Sequence, residues 1–472
     1  MPSAKPQFAS ALRILAQLRE AGHEAYLAGG CVRDLLLGRE PADYDVATSA
    51  TPDAVLAMFP RTFAVGAHFG VVLVLDQPEN SSERSGAEKA TEVATFRSDG
   101  AYSDGRHPDE VRYTKSAAED VQRRDFTING LLLDPLGMAD DPSQLLEQTS
   151  AVRAGLVDYV GGLADLDAGI IRAIGHPERR FQEDQLRLLR AVRFAARFNF
   201  SIDPATHAAI RALAPRIHPR IGAVSRERVR DELTKMLTEG HARRAFELLD
   251  ETGLLAEVLP EVARMKGVAQ PPQFHPEGDV WVHTLLLLNQ LLPDSPLTLA
   301  WGALLHDVGK PPTFRVAPDR IRFDGHVEVG VAMGADICRR FRFSNEETRM
   351  ILSLIENHMR FADAPRMKDS TLKRLFRLEN FGQHLALHRM DCLAGHGNLD
   401  IFDFVRERFE STPEEVVRPK LLLTGRELIA AGYAPGPEFQ HMLRTVEDAQ
   451  LEGAIATTEE AMALVRERFP QT

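Results

Sequence analysis

Cysteine is scarce in this 472-residue chain. Cys31, Cys338 and Cys392 have neither an even count nor the spacing of metal ligands. They suit reduced thiols in a cytoplasmic protein. Long apolar runs are also missing, which leaves no signal or membrane segment and keeps the expected protein free of the bilayer. The most apolar N-terminal stretch, residues 8–20, instead reads as an amphipathic helix with Leu12, Leu15 and Leu18 on one face. No internal repeat is visible, and no feature sets an oligomeric state. One core cannot serve a chain of this length, so roughly three domains are expected.

Positive charge is in deficit overall. A net charge of −12 argues against a nucleic-acid binder, because affinity for a phosphate backbone comes mainly from Lys and Arg. The average hides a local excess. Between Arg172 and Arg230 there are thirteen arginines against five acids, with few acids at i±4 to neutralise them.

What is present begins with Tyr26 to Thr48, YLAGGCVRDLLLGREPADYDVAT. A short apolar run ends in Gly29-Gly30, a helix start follows, and the chain returns extended through Asp43-Tyr44-Asp45-Val46. The strand period of two puts Asp43 and Asp45 on one face. Adjacent carboxylates repel unless a cation lies between them, and hard oxygen ligands suit Mg²⁺. Gly29 and Gly30 would let backbone N–H groups approach a phosphate at the positive end of the next helix. The combination describes a triphosphate held against a metal.

Strand signals continue through 71–75, 92–97 and 128–133, with a polar, mobile loop expected at 78–90. Glu92 would be a third metal-facing carboxylate if its strand lies beside Asp43 and Asp45. In Arg123-Arg124-Asp125-Phe126-Thr127-Ile128-Asn129 two guanidinium groups suit phosphates, while Asp125 and Asn129 suit ribose hydroxyls. From about Gly155 helical periodicity takes over, and Leu186, Leu189, Val192 and Ala196 form an apolar face. Asp184 and Arg187 are placed one helical turn apart. A carboxylate accepting from an exocyclic amine and a guanidinium donating to the adjacent ring nitrogen would read C and A but not G or U. The alternative is a simple salt bridge between the two on the helix surface.

With GGCVRD and DYD, RRDFTIN, EDQLR within RFQEDQLRLLRAVRF, and RERVRDELTKML in order, the chain resembles the class II tRNA nucleotidyltransferase and bacterial poly(A) polymerase family. The resemblance implies an α+β head of polymerase-β-like nucleotidyltransferase type followed by an all-α neck, body, HD domain and tail. It implies that Asp43 and Asp45 are the catalytic Mg²⁺ ligands and that Arg124, Asp125 and Asn129 handle the nucleotide's phosphate and sugar. Asp184 with Arg187 would select the base. Arg33 in GGCVRD and Arg190 in RFQEDQLRLLRAVRF join Gly29 and Gly30 in the implied nucleotide-binding set.

A second pattern, H…HD…H…H…D, resembles HD-domain metal phosphohydrolases and is carried by His283, His306-Asp307, His326, His358 and Asp391. His283, His306, Asp307 and Asp391 would hold one ion, and Asp307 with His326 and His358 a second. Imidazole with carboxylate suits a divalent transition metal, Mn, Ni, Fe or Zn. Lys310 reads as a phosphate partner, and His275, His384, His388 and His396 as structural.

The expected boundaries are a head at 1–154, neck and body at 155–268, the HD domain at 269–410 after a linker at 269–272, and a helical tail at 411–472. The expected function is template-independent addition of CCA to tRNA from CTP and ATP, with an HD phosphohydrolase attached. A poly(A) polymerase, or an enzyme adding only the terminal A, shares the head motifs. The long loop from Arg97, RSDGAYSDGRHPDEV, speaks against A-only addition. A third reading, an HD nucleotide hydrolase with a head that merely binds, is opposed by the intact Asp43 and Asp45.

Overall fold

β1 (Ala25–Ala28) and β2 (Val46–Thr48) pair antiparallel near the middle of a sheet, as the two apolar ends of the Tyr26–Thr48 stretch require. A computed structural model describes residues 6–64, 70–75, 90–100, 111–136, 149–217, 224–273, 275–318 and 320–471. The expected loop at 78–90 and most of the loop from Arg97 lie outside these residues.

The chain divides into two compact units, Met1–Pro260 and Glu261–Thr472. In the first, α1 (Pro6–Glu20) buries Phe8, Ala11, Ile14, Leu15 and Leu18. α2 (Gly30–Leu36) follows β1, and α3 (Pro52–Met58) is capped by the Thr51 hydroxyl, which accepts from the Ala54 amide. The sheet continues with β3 (Thr62–Phe63), β4 (Val71–Val74) and β5 (Thr91–Thr95). A separate hairpin, β6 (Arg97–Asp99) with β7 (Val111–Tyr113), leads to α4 (Ala117–Gln122). β8 (Leu132–Leu133), α5 (Thr149–Ala154) and β9 (Leu156–Val157) complete the sheet, whose order is β3-β4-β5-β2-β1-β8-β9. Within this sheet β2 and β5 are the one parallel pair among the described residues, Val46 facing Val93, which sets Glu92 beside the segment that carries Asp45.

The strand expected over 128–133 is shorter. Residues Thr127–Asn129 form a 3-10 turn and only Leu132–Leu133 extend. The turn is pinned from both sides, Thr127 N–H donating to the Arg172 carbonyl and Ile174 N–H to that of Asp125.

Helices then predominate: α6 (Gly162–Ala168), α7 (Pro177–Glu183), α8 (Leu186–Phe198), α9 (Pro204–Leu213) and α10 (Arg226–Thr238). The expected apolar face of α8 is buried, Leu186, Leu189, Val192 and Ala196 among it. Burying a face of that size is what holds such a helix, since propensity alone is weak.

Among its described residues the second unit is helical apart from one hairpin, Arg315–Val316 with Ile321–Arg322. It starts ahead of the expected linker, which is not a linker: Gln270 is buried and its side-chain oxygen accepts from Lys310 Nζ at 2.7 Å. The segment expected to detach the tail is also packed. Glu414–Val417 is helical, and Val417 joins a core with Phe361, Phe376 and Phe381. Beyond it Leu423, Leu428, Met442, Val446 and Val465 form a small core of their own. That core docks on the helix Asp369–Phe376 through Arg374 to Glu447 at 2.7 Å and Arg377 to Glu447 at 2.5 Å. Among the described residues no helix is long and apolar enough to cross a membrane.

Candidate active site and candidate metal centre

In the first unit one cleft of about 650 Å³ gathers the sequence-derived nucleotide site. Gly29, Gly30, Arg33, Asp43 and Asp45 line it from the β1-to-β2 stretch, and Glu92 from β5. Arg124, Asp125 and Asn129 reach it from the 3-10 turn and its approach, and Asp184, Arg187 and Arg190 from the α7–α8 junction.

Asp43 and Asp45 sit on the extended approach to β2 rather than within it, with Tyr44 buried on the opposite side. Burial, then Asp43 and Glu92, push the Asp45 carboxyl up to about 7, with Arg124 opposing. Like charges this close to one half-buried carboxylate fit a divalent cation, and Mg²⁺ needs only one or two carboxylates with water completing its shell.

Gly29 acts differently from expectation. Its N–H donates to the Leu131 carbonyl at 3.0 Å and so is not offered to a phosphate. Its φ is +72°, and a Cβ there would lie 3.0 Å from Arg124 Nη1. The glycine makes room for a guanidinium.

Asp125 is already committed. Its Oδ2 accepts from Arg190 at 2.6 and 2.8 Å and its Oδ1 from the Asn129 amide at 3.1 Å. Burial would raise this carboxyl, but Arg190, Asn129 and Arg187 outweigh it and hold it well below the usual range. Asn129 Oδ1 in turn accepts from Arg33 Nη1 at 2.5 Å, and the Arg33 guanidinium lies 4.6 Å from the Phe198 ring centroid. Asp125, Asn129 and Arg33 thus form a buried brace under the cleft, with α8 supplying Arg190 and the aromatic ring.

Asp184 and Arg187 do not pair. α7 ends at Glu183 and α8 begins at Leu186, so Asp184 lies in the helix break; the Arg187 N–H still donates to the Asp184 carbonyl at 3.0 Å, but the two side chains turn to other partners. Asp184 Oδ2 accepts from Arg228 Nη2 at 3.1 Å. Arg187 donates through Nη1 to Glu183 and to the Arg180 carbonyl, both at 3.0 Å, and through Nη2 to the Arg123 carbonyl at 3.1 Å. A guanidinium has five N–H groups, so two remain for a ligand.

The basic stretch is also less free than its composition suggests. Arg193 pairs with Glu232 at 2.6 Å and Arg197 with Glu239 at 3.3 Å, so the missing acids come from α10 and the residue after it. Arg172 likewise bonds Asp165 and Asp203. Arg228, Lys235 and Glu239 line the cleft as well, and sequence spacing did not mark them as site residues.

In the second unit His283, His306 and Asp391 bring ligand atoms within 4.8 Å of one another, and so do Asp307, His326 and His358. His306 ends the helix Leu297–Leu305, His326 opens His326–Arg340, and His358 ends Asn345–Asn357. Gly309 permits the approach: a Cβ there would lie 2.0 Å from the His326 carbonyl oxygen. Nδ1 of His306, His326 and His358 bonds the carbonyls of Ala303 (2.9 Å), Phe323 (3.0 Å) and Ile355 (2.7 Å). A carbonyl only accepts, so Nδ1 carries the proton and Nε2 keeps its lone pair. All three Nε2 atoms are buried without a hydrogen-bond partner, as is Asp307 Oδ1. Lone pairs and a carboxylate facing one another fit a metal cation.

Lys310 spends two of its three ammonium N–H groups inside the protein. Its Nζ bonds Asp307 and Gln270, both at 2.7 Å, over the Phe323 ring. Of the four histidines expected to be structural, His384 is buried, His388 stacks on Phe361 and His396 accepts from the Asn398 amide. His275 is different. It bonds Glu277 at 2.8 Å beside His283.

Comparison with known proteins places these units. Residues 25–172 match the poly A polymerase head domain, 199–266 the probable RNA and SrmB-binding site of polymerase A, and 280–385 the HD domain. The CCA-adding enzyme of Lactobacillus helveticus (strain DPC 4571) is 30% identical over 459 residues, 96% of either chain. The chain belongs to the CCA-adding enzymes. Within that family the Lactobacillus johnsonii enzyme is 38% identical over 286 residues, 60% of this chain and 64% of its own. The Geobacillus stearothermophilus enzyme is 42% identical over 259 residues, 55% of this chain and 56% of its own. These two matches therefore span less than two thirds of those relatives. The crystal structure of the Bacillus stearothermophilus CCA-adding enzyme in complex with CTP superposes with a TM-score of 0.70 at 28% identity, covering 98% of this chain and 99% of that one. The Thermotoga maritima CCA-adding enzyme complexed with tRNA shares the fold, with a TM-score of 0.59 at 17% identity.

Proposed function

We propose that the first unit adds C and A from CTP and ATP to the 3' end of tRNA without a template. The observation that carries this reading is one cleft lined both by the carboxylates Asp43, Asp45 and Glu92 and by Asp184 and Arg187, which would read C and A. Asp43 and Asp45 would hold Mg²⁺, which when bound offsets charge on the transferring phosphate. Arg124, in the space Gly29 leaves, binds the triphosphate. Arg187, anchored on two carbonyls and Glu183, donates a remaining N–H to the base ring nitrogen, while Asp184 accepts from the exocyclic amine. Asp125, Asn129 and Arg33 hold the turn beneath the sugar. The helices from α6 to the end of the unit at Pro260 would be the neck and body that carry the tRNA.

The second unit, HD domain at 269–410 and tail at 411–472, would hydrolyse phosphomonoesters or 2',3'-cyclic phosphates with Mn, Ni, Fe or Zn at the two histidine groups. The whole protein would work in the cytoplasm. The test is incubation with tRNAs lacking one, two or three terminal nucleotides, with CTP and ATP singly and together. Stepwise products ending at CCA are expected. A-only extension or an open-ended A tail would replace this reading with one of its rivals.

A further inference from the structure

Three of the four histidines at the centre in the second unit orient their rings on backbone carbonyls. His283 does not. Its Nδ1 lies 2.7 Å from Glu277 Oε1, and the same oxygen lies 2.8 Å from His275 Nδ1. The Glu277 side chain is only 6% exposed, and its second oxygen is buried without a partner. His283 is fully buried, and its ring meets His275 edge to face at 4.9 Å. On its far side His283 Nε2 is 2.9 Å from Asp391 Oδ1, yet that nitrogen has no hydrogen-bond partner of acceptable direction.

An ionised carboxylate accepts from both imidazoles, which fixes the proton of each ring on Nδ1. With a metal bound, His283 Nε2 would turn its lone pair into the space shared with His306 and Asp391. A carboxylate behind a ligating imidazole also raises its basicity more than a carbonyl does. His275 also lines the cavity that contains Asp307 and His358.

We propose that Glu277 is a positioning residue of the metal centre, held in place by His275, that fixes the ring of His283 and strengthens metal binding by His283, His306 and Asp391. This rests on the HD metal reading. Neither residue belongs to the H…HD…H…H…D pattern, and Glu277 touches no reacting atom.

The test uses the full chain and Mn²⁺ alone as probe, with affinity from titration calorimetry and occupancy from electron paramagnetic resonance. Glu277→Gln keeps the shape and removes the charge, and Glu277→Ala removes both. Second-shell partners of this kind are worth about 10–100-fold in metal affinity. Glu277→Ala should lose about that much, Glu277→Gln less, and His275→Ala less again, with unfolding temperature unchanged. A folded Glu277→Gln and Glu277→Ala that bind Mn²⁺ like the wild type would overturn the inference and leave the metal centre standing. A wild-type chain that takes up no metal in the second unit would overturn the metal reading itself.

Discussion

Asp184 is held by Arg228, 44 positions further along the chain, at 3.1 Å, while Arg187 is fixed by its own set of oxygens. Base reading would therefore begin with Asp184 leaving one guanidinium for an exocyclic amine. One nitrogen of Arg228 is already buried without a partner.

Replacing Asp184 by Ala should lower discrimination of CTP and ATP against UTP and GTP by about 1–3 kcal/mol, since a buried hydrogen-bonding group is what rejects the wrong base. Replacing Arg228 by Ala should instead weaken all four nucleotides together by freeing the helix break. The measurement is kcat/KM for each nucleotide on one tRNA primer. Unchanged preference in Asp184→Ala would place base selection elsewhere.

Cation binding at the first unit should depend on pH through Asp45. A carboxyl raised from 3.8 to about 7 stays protonated where an ordinary one is ionised, so protons compete with the cation below about 7. Mg²⁺ affinity should fall by up to about tenfold per pH unit below that point. The stability sign is the opposite in metal-free protein. The contribution of the neutral group is full below pH 3.8 and disappears as pH rises through about 7, and saturating Mg²⁺ should cancel that loss. Calorimetric titration at pH 5.5, 6.5 and 7.5 checks this, with Asp45→Asn as the flat control. Asp43→Ala and Asp45→Ala should each abolish nucleotide addition.

The Arg190–Asp125 pair predicts a stability defect rather than a purely kinetic one. Truncating Arg190 leaves a buried carboxylate uncompensated, which costs about 3–5 kcal/mol when the partner is removed alone. The double variant with Asp125→Asn should recover part of the loss. Because the Asp125 carboxyl is depressed, its contribution is present above the ordinary carboxylate range and is lost as pH falls toward its folded value. Urea unfolding of the first unit at pH 7 and pH 3 measures both effects, and equal midpoints for wild type and Arg190→Ala would sink the argument.

At the second unit Asp307→Ala should remove transition-metal uptake and phosphohydrolase activity while CCA addition continues. Gly309→Ala should act in the same direction without touching a ligand, because its methyl would meet the His326 carbonyl backbone. Elemental analysis of the purified variants decides this. Full metal content in Gly309→Ala would show that the two segments can part without cost.

Much of this molecule was legible in the sequence because its chemistry sits in short local motifs. Gly29 to Asp45, Asp125 to Asn129 and the histidine series carry their own spacing, and the apolar face of α8 follows a helical period. The misreadings concern partners distant in sequence. The i,i+3 spacing of Asp184 and Arg187 offers a direct salt bridge as one alternative, whereas Asp184 bonds Arg228 arriving from α10 and Arg187 bonds Glu183. The arginine-rich stretch looked unneutralised because Glu232 and Glu239 lie beyond it. Lys310 finds a partner the spacing does not show in Gln270, which stands where a linker was expected. His275 looked inert because nothing in its spacing shows that it shares one oxygen of Glu277 with a metal-facing ring.

The three carbonyl-bonded histidines have a further consequence. Each ring rests on the carbonyl three residues before it, so its direction is set by the last turn of a helix at His306 and His358 and by the turn ahead of the helix at His326. An arriving ion finds rings already turned, and little side-chain freedom is lost at the moment of capture. Chelation should then empty this centre without unfolding the unit around it, unlike small domains whose folding waits for their zinc.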